Sequence, residues 1–180
     1  MIVASFIRNF APRRFDQFDF IPSVGASGGL LILWCSAIFG GIVVTKLHFR
    51  ITVNFTSIHN GDVWRLSNIY GPCDEPEISE FISWFRSCDV NDTTNWLFLG
   101  DFNFYRSLED RNKAGGILAH TLIFNDAIGH LGLIELSLKG RSFTGATCRL
   151  IPYLNNLTGF SPLPIGPLTT QIQNFSPWQK

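Results

Sequence analysis

Residues 96–103 read WLFLGDFN, an apolar run that stops at Gly100 and is followed at once by Asp101 and Asn103. Trp96, Leu97, Phe98 and Leu99 stand side by side, without the alternation of a half-buried strand and without the length of a helix. Such a run predicts a strand covered on both faces, as in the sheets of α/β proteins. A strand of this kind fixes the backbone and hands the next residues to an accessible loop, where open α/β proteins place reactive groups. The spacing therefore sets a carboxylate at a strand end.

Toward the N-terminus, the polar run Asn91 to Asn95 separates this strand from an amphipathic helix. Ile78, Phe81, Ile82 and Phe85 fall at i, i+3, i+4 and i+7, with Pro76 near the first turn and Asp74 or Glu75 available as the cap. Before it, VWRLSNIY (63–70) reads as a strand ended by Pro72, and LHFRITVNF (47–55) as a half-buried strand whose polar and apolar residues alternate. Asn60-Gly61 between the two predicts an antiparallel pair.

From Phe20 to Thr45 no residue is charged, and residues 28–45 alone have about the length of a membrane-spanning helix. Gly25, Gly28, Gly29, Gly40 and Gly41 instead divide the stretch into two runs, Leu30 to Trp34 and Ile42 to Thr45. These predict adjacent antiparallel strands in the sheet that holds VWRLSNIY.

Toward the C-terminus, beyond the Gly-rich loop RNKAGG, Phe124, Ala127, Ile128 and Leu131 mark a second helix that Gly132 stops. LIEL and RSFT read as short strands. From Pro152 onward the periodicity is lost, and five of the nine prolines lie in this tail. The expected organisation is one α/β domain over residues 1–150 and a poorly ordered, proline-rich tail over 151–180.

Composition bounds the function classes. A 46% hydrophobic fraction supports a core, and fourteen basic residues balance fourteen acidic ones, so no net field draws in a polyanion. Cys35, Cys73, Cys88 and Cys148 form no C-x-x-C pair, which excludes zinc spacing and a dense disulfide framework and makes a reduced intracellular protein the default. The N-terminus lacks the order of a signal peptide, so the four N-x-[ST] triplets are read as chance. His48, His59, His120 and His130 are too dispersed for a metal cluster.

Two motifs carry chemistry, Asn68-Ile-Tyr-Gly-Pro72 and Gly100-Asp-Phe-Asn103, each closing a strand. Asp101 can hold or deprotonate a water, while Asn103 and the Tyr70 hydroxyl can donate to a phosphate oxygen. Asp101 also suits an ordinary turn, and Tyr70, in alternation with Leu66 and Trp64, suits a core position with its hydroxyl at the rim.

Together with GASGGLLILW, RNKAGG and GRSFT, these blocks resemble the endonuclease domain of plant LINE-type retrotransposons, within the endonuclease/exonuclease/phosphatase superfamily, over roughly Ser5 to Thr144. The resemblance implies a partial four-layered α/β sandwich, two packed sheets flanked by helices, that acts on DNA phosphodiesters with magnesium. It gives Tyr70 the phosphate-contacting role, Asp101 the water-orienting role and Asn103 a phosphate oxygen. Arg106, Arg111 and Lys113 lie in a loop beside the proposed site where they could meet a DNA backbone, but with Glu109 and Asp110 interspersed a solvated loop is the favoured reading.

The chain departs from that family's pattern. No Q-E-T-K-like block with its metal-binding glutamate and no Ser-Asp-His block occurs, and Gly145 stands where a tryptophan follows Phe143-Thr144. The expectation is a fragment of a nuclease domain with weak or no activity and weak or no magnesium binding. Two other readings stay open: a non-enzymatic remnant that associates through exposed sheet faces, and a small membrane protein anchored through residues 28–45.

Overall fold

Alternation along the strands decides which layer each side chain joins. The computed structural model describes residues 7, 9, 11–25, 27–90, 95–107, 118–135, 145–147, 153–155 and 158–161. In chain order these form β1 (Gln17–Val24), β2 (Ser27–Trp34), β3 (Phe39–Leu47), β4 (Arg50–Ser57), β5 (Val63–Tyr70), α1 (Glu77–Arg86), β6 (Trp96–Asp101), α2 (Leu118–His130), β7 (Ile134–Glu135), β8 (Gly145–Thr147), β9 (Tyr153–Asn155) and β10 (Thr158–Ser161). One sheet has the order β3-β4-β5-β6-β10-β7, while β1-β2 and β8-β9 form separate pairs. β5 and β6 run parallel, with α1 as their crossover; the other pairs are antiparallel.

One face of the large sheet buries Ile69, Trp96 and Phe98 against Ile78, Phe81, Ile82 and Phe85 of α1 and Phe124, Ala127 and Ile128 of α2. The other face packs Ile51, Val53, Phe55, Trp64, Leu66 and Tyr70 against Leu30, Ile32 and Trp34 of β2. The Trp34 indole lies over Gly41, where a Cβ would meet its Cε2 at 2.7 Å, so the glycine lets the layers approach. This is an α/β sandwich in which two sheets pack face to face and helices cover the outer face of the larger. A polar thread crosses the core, with Thr52 and Ser67 hydroxyls 2.8 Å apart and Trp96 Nε1 donating to Ser67 Oγ at 3.1 Å. Each member thus has a partner where water cannot reach.

Several local expectations hold. β4 and β5 pair antiparallel around the Asn-Gly turn, β5 spans VWRLSNIY, and the α1 face is the one its spacing marks. Past α2, Leu133 N–H donates to Ile128 O and Gly132 N–H to Gly129 O, both at 3.1 Å, the paired bonds that close a helix at glycine.

Other expectations are corrected. Leu30 to Trp34 and Ile42 to Thr45 are strand residues, but they do not pair. β2 pairs with β1 and β3 with β4, because a tight turn at Cys35, with Ile38 and Phe39 N–H both donating to its carbonyl, carries the chain from one layer to the other. LHFRITVNF is two strands, since Leu47 pairs with Arg50 across a two-residue turn that sends Phe49 into the helix-side core. Pro76 holds the cap position of α1, and Glu75, one residue before it, still supplies a capping acceptor, its Oε2 accepting from Ser79 N and Oγ at 3.3 and 2.8 Å.

The tail contributes regular structure at residues 153–155 and 158–161. β10 pairs with both β6 and β7, filling the ladder edge that β6 otherwise leaves open, and the proline-free stretch 153–161 leaves every backbone donor available. RSFT lies outside the described residues. The uncharged stretch 20–45 is built into β1, β2 and β3, and among the described residues no helix is long and apolar enough to cross a membrane.

Candidate active site

β5 and β6 run parallel in a register that sets Tyr70 beside Asp101, the last residue of each strand. Parallel neighbours point to one face, so the hydroxyl-bearing ring and the carboxylate emerge side by side at the C-terminal edge of the sheet. Beyond the pair the two chains stay in contact. Gly71 N–H donates to Asp101 O at 2.7 Å, and Asn103 Nδ2 donates to Gly71 O at 2.5 Å. The structure thus brings Tyr70, Asp101 and Asn103 together.

Two motif glycines make this approach possible. A Cβ on Gly71 would lie 1.8 Å from Phe102 O, and one on Gly100 would lie 1.9 Å from Ile69 O. Gly100 also has φ +134°, which L side chains rarely adopt. Phe102, 1% exposed, anchors the loop between the two site residues in the helix-side core.

Asp101 is partly buried, and burial pushes its carboxyl above the usual carboxylate range, an effect partly offset by the N–H that Asn103 donates to Oδ1 at 3.1 Å. This two-residue turn fixes where the carboxylate points. Tyr70 packs half-buried against the β2 side, as its alternation with Leu66 and Trp64 implies.

Sequence reasoning passed over two neighbours. Asn68 Nδ2 donates to Leu31 O at 3.0 Å and so bridges β5 to the β1-β2 pair just below the site. Cys73 is exposed two residues past Gly71, its thiol pushed up by desolvation and then by the charges of Asp74, Asp101 and Glu77. The only sequence signal for either was its place in or beside the Asn68 to Pro72 motif.

A solved structure of the endonuclease domain of TRAS1, a telomere-specific non-LTR retrotransposon, matches 89% of this chain and 76% of that one, with TM-score 0.58. This chain shares that domain's fold. At 15% sequence identity the likeness is one of architecture. No protein-family model and no curated protein sequence matches the chain.

Among the described residues no three His, Cys, Asp or Glu side chains gather closely enough to hold a metal ion.

Arg106, expected near a nucleic-acid backbone, has internal partners: Nε donates to Asn125 Oδ1 at 3.0 Å and Nη1 meets Glu135 Oε2 at 2.6 Å. Asn125 returns a bond to Arg106 O at 2.8 Å. These contacts tie the loop after β6 to α2 and β7. Arg111 and Lys113 lie outside the described residues.

Proposed function

We propose that this chain is a DNA endonuclease domain of the LINE retrotransposon type, with Asp101 in the water-orienting role and Tyr70 in the phosphate-contacting role of a phosphodiesterase site. The parallel pairing of Tyr70 with Asp101 carries the reading, because it puts a carboxylate and a phenol on one edge of the fold shared with a retrotransposon endonuclease domain. Asp101, ionised, takes a proton from a water as that water attacks phosphorus, the Tyr70 hydroxyl donates to a non-bridging oxygen as charge builds there, and the P–O bond to the leaving sugar oxygen breaks, that oxygen taking a proton from solvent. DNA is the substrate class that this reading implies.

Activity of the 180-residue chain by itself is proposed to be weak. Phosphodiester hydrolysis at neutral pH needs several positive or donating groups on one phosphate at once, and each acts only in the presence of the others. The described residues set Tyr70, Asp101 and Asn103 there, with the Arg106 guanidinium turned to Asn125 and Glu135. The test uses two measurements on the purified chain. Nuclear magnetic resonance titration with the dinucleotide thymidylyl-thymidine should perturb Tyr70, Asp101 and Asn103 first, and perturbation confined to another face would defeat the site assignment. Supercoiled-plasmid nicking with magnesium should match that of an Asp101→Ala control. Robust nicking that Asp101→Ala abolishes would show a complete site and overturn the weak-activity reading.

A second reading has its own observation. Ile42 and Val44 on the edge strand β3, with Ile58 and Val63, are 46–70% exposed, a surface suited to association in a non-enzymatic remnant. Size-exclusion chromatography showing a concentration-independent monomer would remove it.

A further inference from the structure

The resemblance gives Asn103 a phosphate oxygen to hold, whereas the geometry gives its carboxamide another task. Asn103 stands at φ 57°, a left-handed conformation that asparagine tolerates better than most residues. That conformation aims its two donors in different directions. The backbone N–H goes to Asp101 Oδ1 at 3.1 Å, and the side-chain Nδ2 goes to Gly71 O at 2.5 Å. Gly71 N–H in turn donates to Asp101 O at 2.7 Å. Two of these three bonds link the loop after β5 to the end of β6 and the loop beyond it, the third lies within that second loop, and Asn103 takes part in two of the three.

We infer that Asn103 is a positioning residue, a clasp between the two loops that fixes the direction of the Asp101 carboxylate, and not chiefly a phosphate ligand. A strand end by itself leaves the following residues loosely placed, because the ladder stops supplying partners there. The clasp supplies them. Its amide bond to Gly71 O holds the left-handed turn, and the turn presents the N–H to Oδ1. No charged or β-branched residue meets both demands, since the position needs a short side-chain donor and a positive φ.

This deepens the reading of the same cleft as the candidate site, yet the contact and its test need no nuclease activity. The experiment compares the whole chain with Asn103→Gly, which keeps the positive φ accessible and deletes the amide. Amide hydrogen exchange at Gly71 should quicken about tenfold, as expected when one well-made hydrogen bond is lost from a local opening equilibrium. Titration of the Asp101 carboxyl by carbon NMR should shift upward as the oriented N–H is lost. Asn103→Asp, which keeps size and tolerance of positive φ but replaces the donor by an acceptor facing Gly71 O, should behave the same way. This second variant carries the test if the glycine variant does not fold.

Unchanged Gly71 exchange and unchanged Asp101 titration in a folded variant would overturn the inference. Loss of the thymidylyl-thymidine response without either change would overturn it in favour of a phosphate ligand. Absence of plasmid nicking bears only on the proposed function and leaves the clasp standing.

Discussion

Replacing Gly100 by alanine isolates what the second motif contributes to the fold. The new Cβ would sit 1.9 Å from Ile69 O, against the 3.0 Å below which real Cβ atoms essentially never approach, and that oxygen belongs to the neighbouring strand. One backbone must move by about 1 Å, which costs about 1–3 kcal/mol for overpacking and about 1 kcal/mol for a strained ladder bond. The φ of +134° adds roughly 1–3 kcal/mol for any residue with a side chain. About 4 kcal/mol in all is a large part of the roughly 5–15 kcal/mol that stabilises an ordinary domain. Gly61→Ala is the control, since Gly61 has φ +76° but open space within 4 Å of where a Cβ would stand, so only the backbone cost of about 1–2 kcal/mol applies. Urea unfolding followed by far-ultraviolet circular dichroism should show a much lower midpoint for Gly100→Ala than for Gly61→Ala at similar slope. Equal midpoints for the two variants would refute the close-approach argument.

Two further outcomes follow from the electrostatics. Because burial raises the Asp101 carboxyl, the folded chain holds that proton more tightly than the unfolded chain; its contribution to stability is complete at low pH and is lost as pH rises through the folded value. Asp101→Asn, which keeps an acceptor for Asn103 N–H, should therefore unfold at higher temperature than the wild type at pH 7, with the advantage fading as the pH falls. A variant less stable at pH 7 than at pH 4, relative to wild type, would reverse the sign. Cys88 is pushed up to about 11 by burial against partial relief from Arg50 and Arg65, so at pH 8 about one thiol in a thousand is ionised. Iodoacetamide should label exposed Cys73 well before Cys88 in peptide mass spectra, and equal rates would contradict the burial of Cys88.

The parts of the fold legible in the sequence are those written in local spacing. The four apolar residues before Gly100 open β6, VWRLSNIY is β5 to the residue, and Ile78, Phe81, Ile82 and Phe85 are the buried face of α1. The first is an unbroken apolar run and the last a repeat at the helical period, and each is visible within one window. Pairing between distant segments has no such signature. Leu30 to Trp34 is an unbroken apolar run, and it reads the same whether β2 joins the large sheet edge to edge or covers it face to face. β10 is less visible still, because four residues, Thr158–Ser161, hold too few positions for a period to appear.

For the site, the sequence by itself determined which residues end the strands and which chemistry they carry: Tyr70 before Gly71-Pro72, and Asp101 and Asn103 around Phe102. Only the tertiary structure decided that Tyr70 and Asp101 are neighbours, that the Asn103 amide is directed at Gly71 O, and that Arg106 meets Asn125 and Glu135. A side chain's chemistry is a property of its own residue. Its partner is settled by the parallel register of β5 and β6, which the α1 crossover and the two layers of core packing set together.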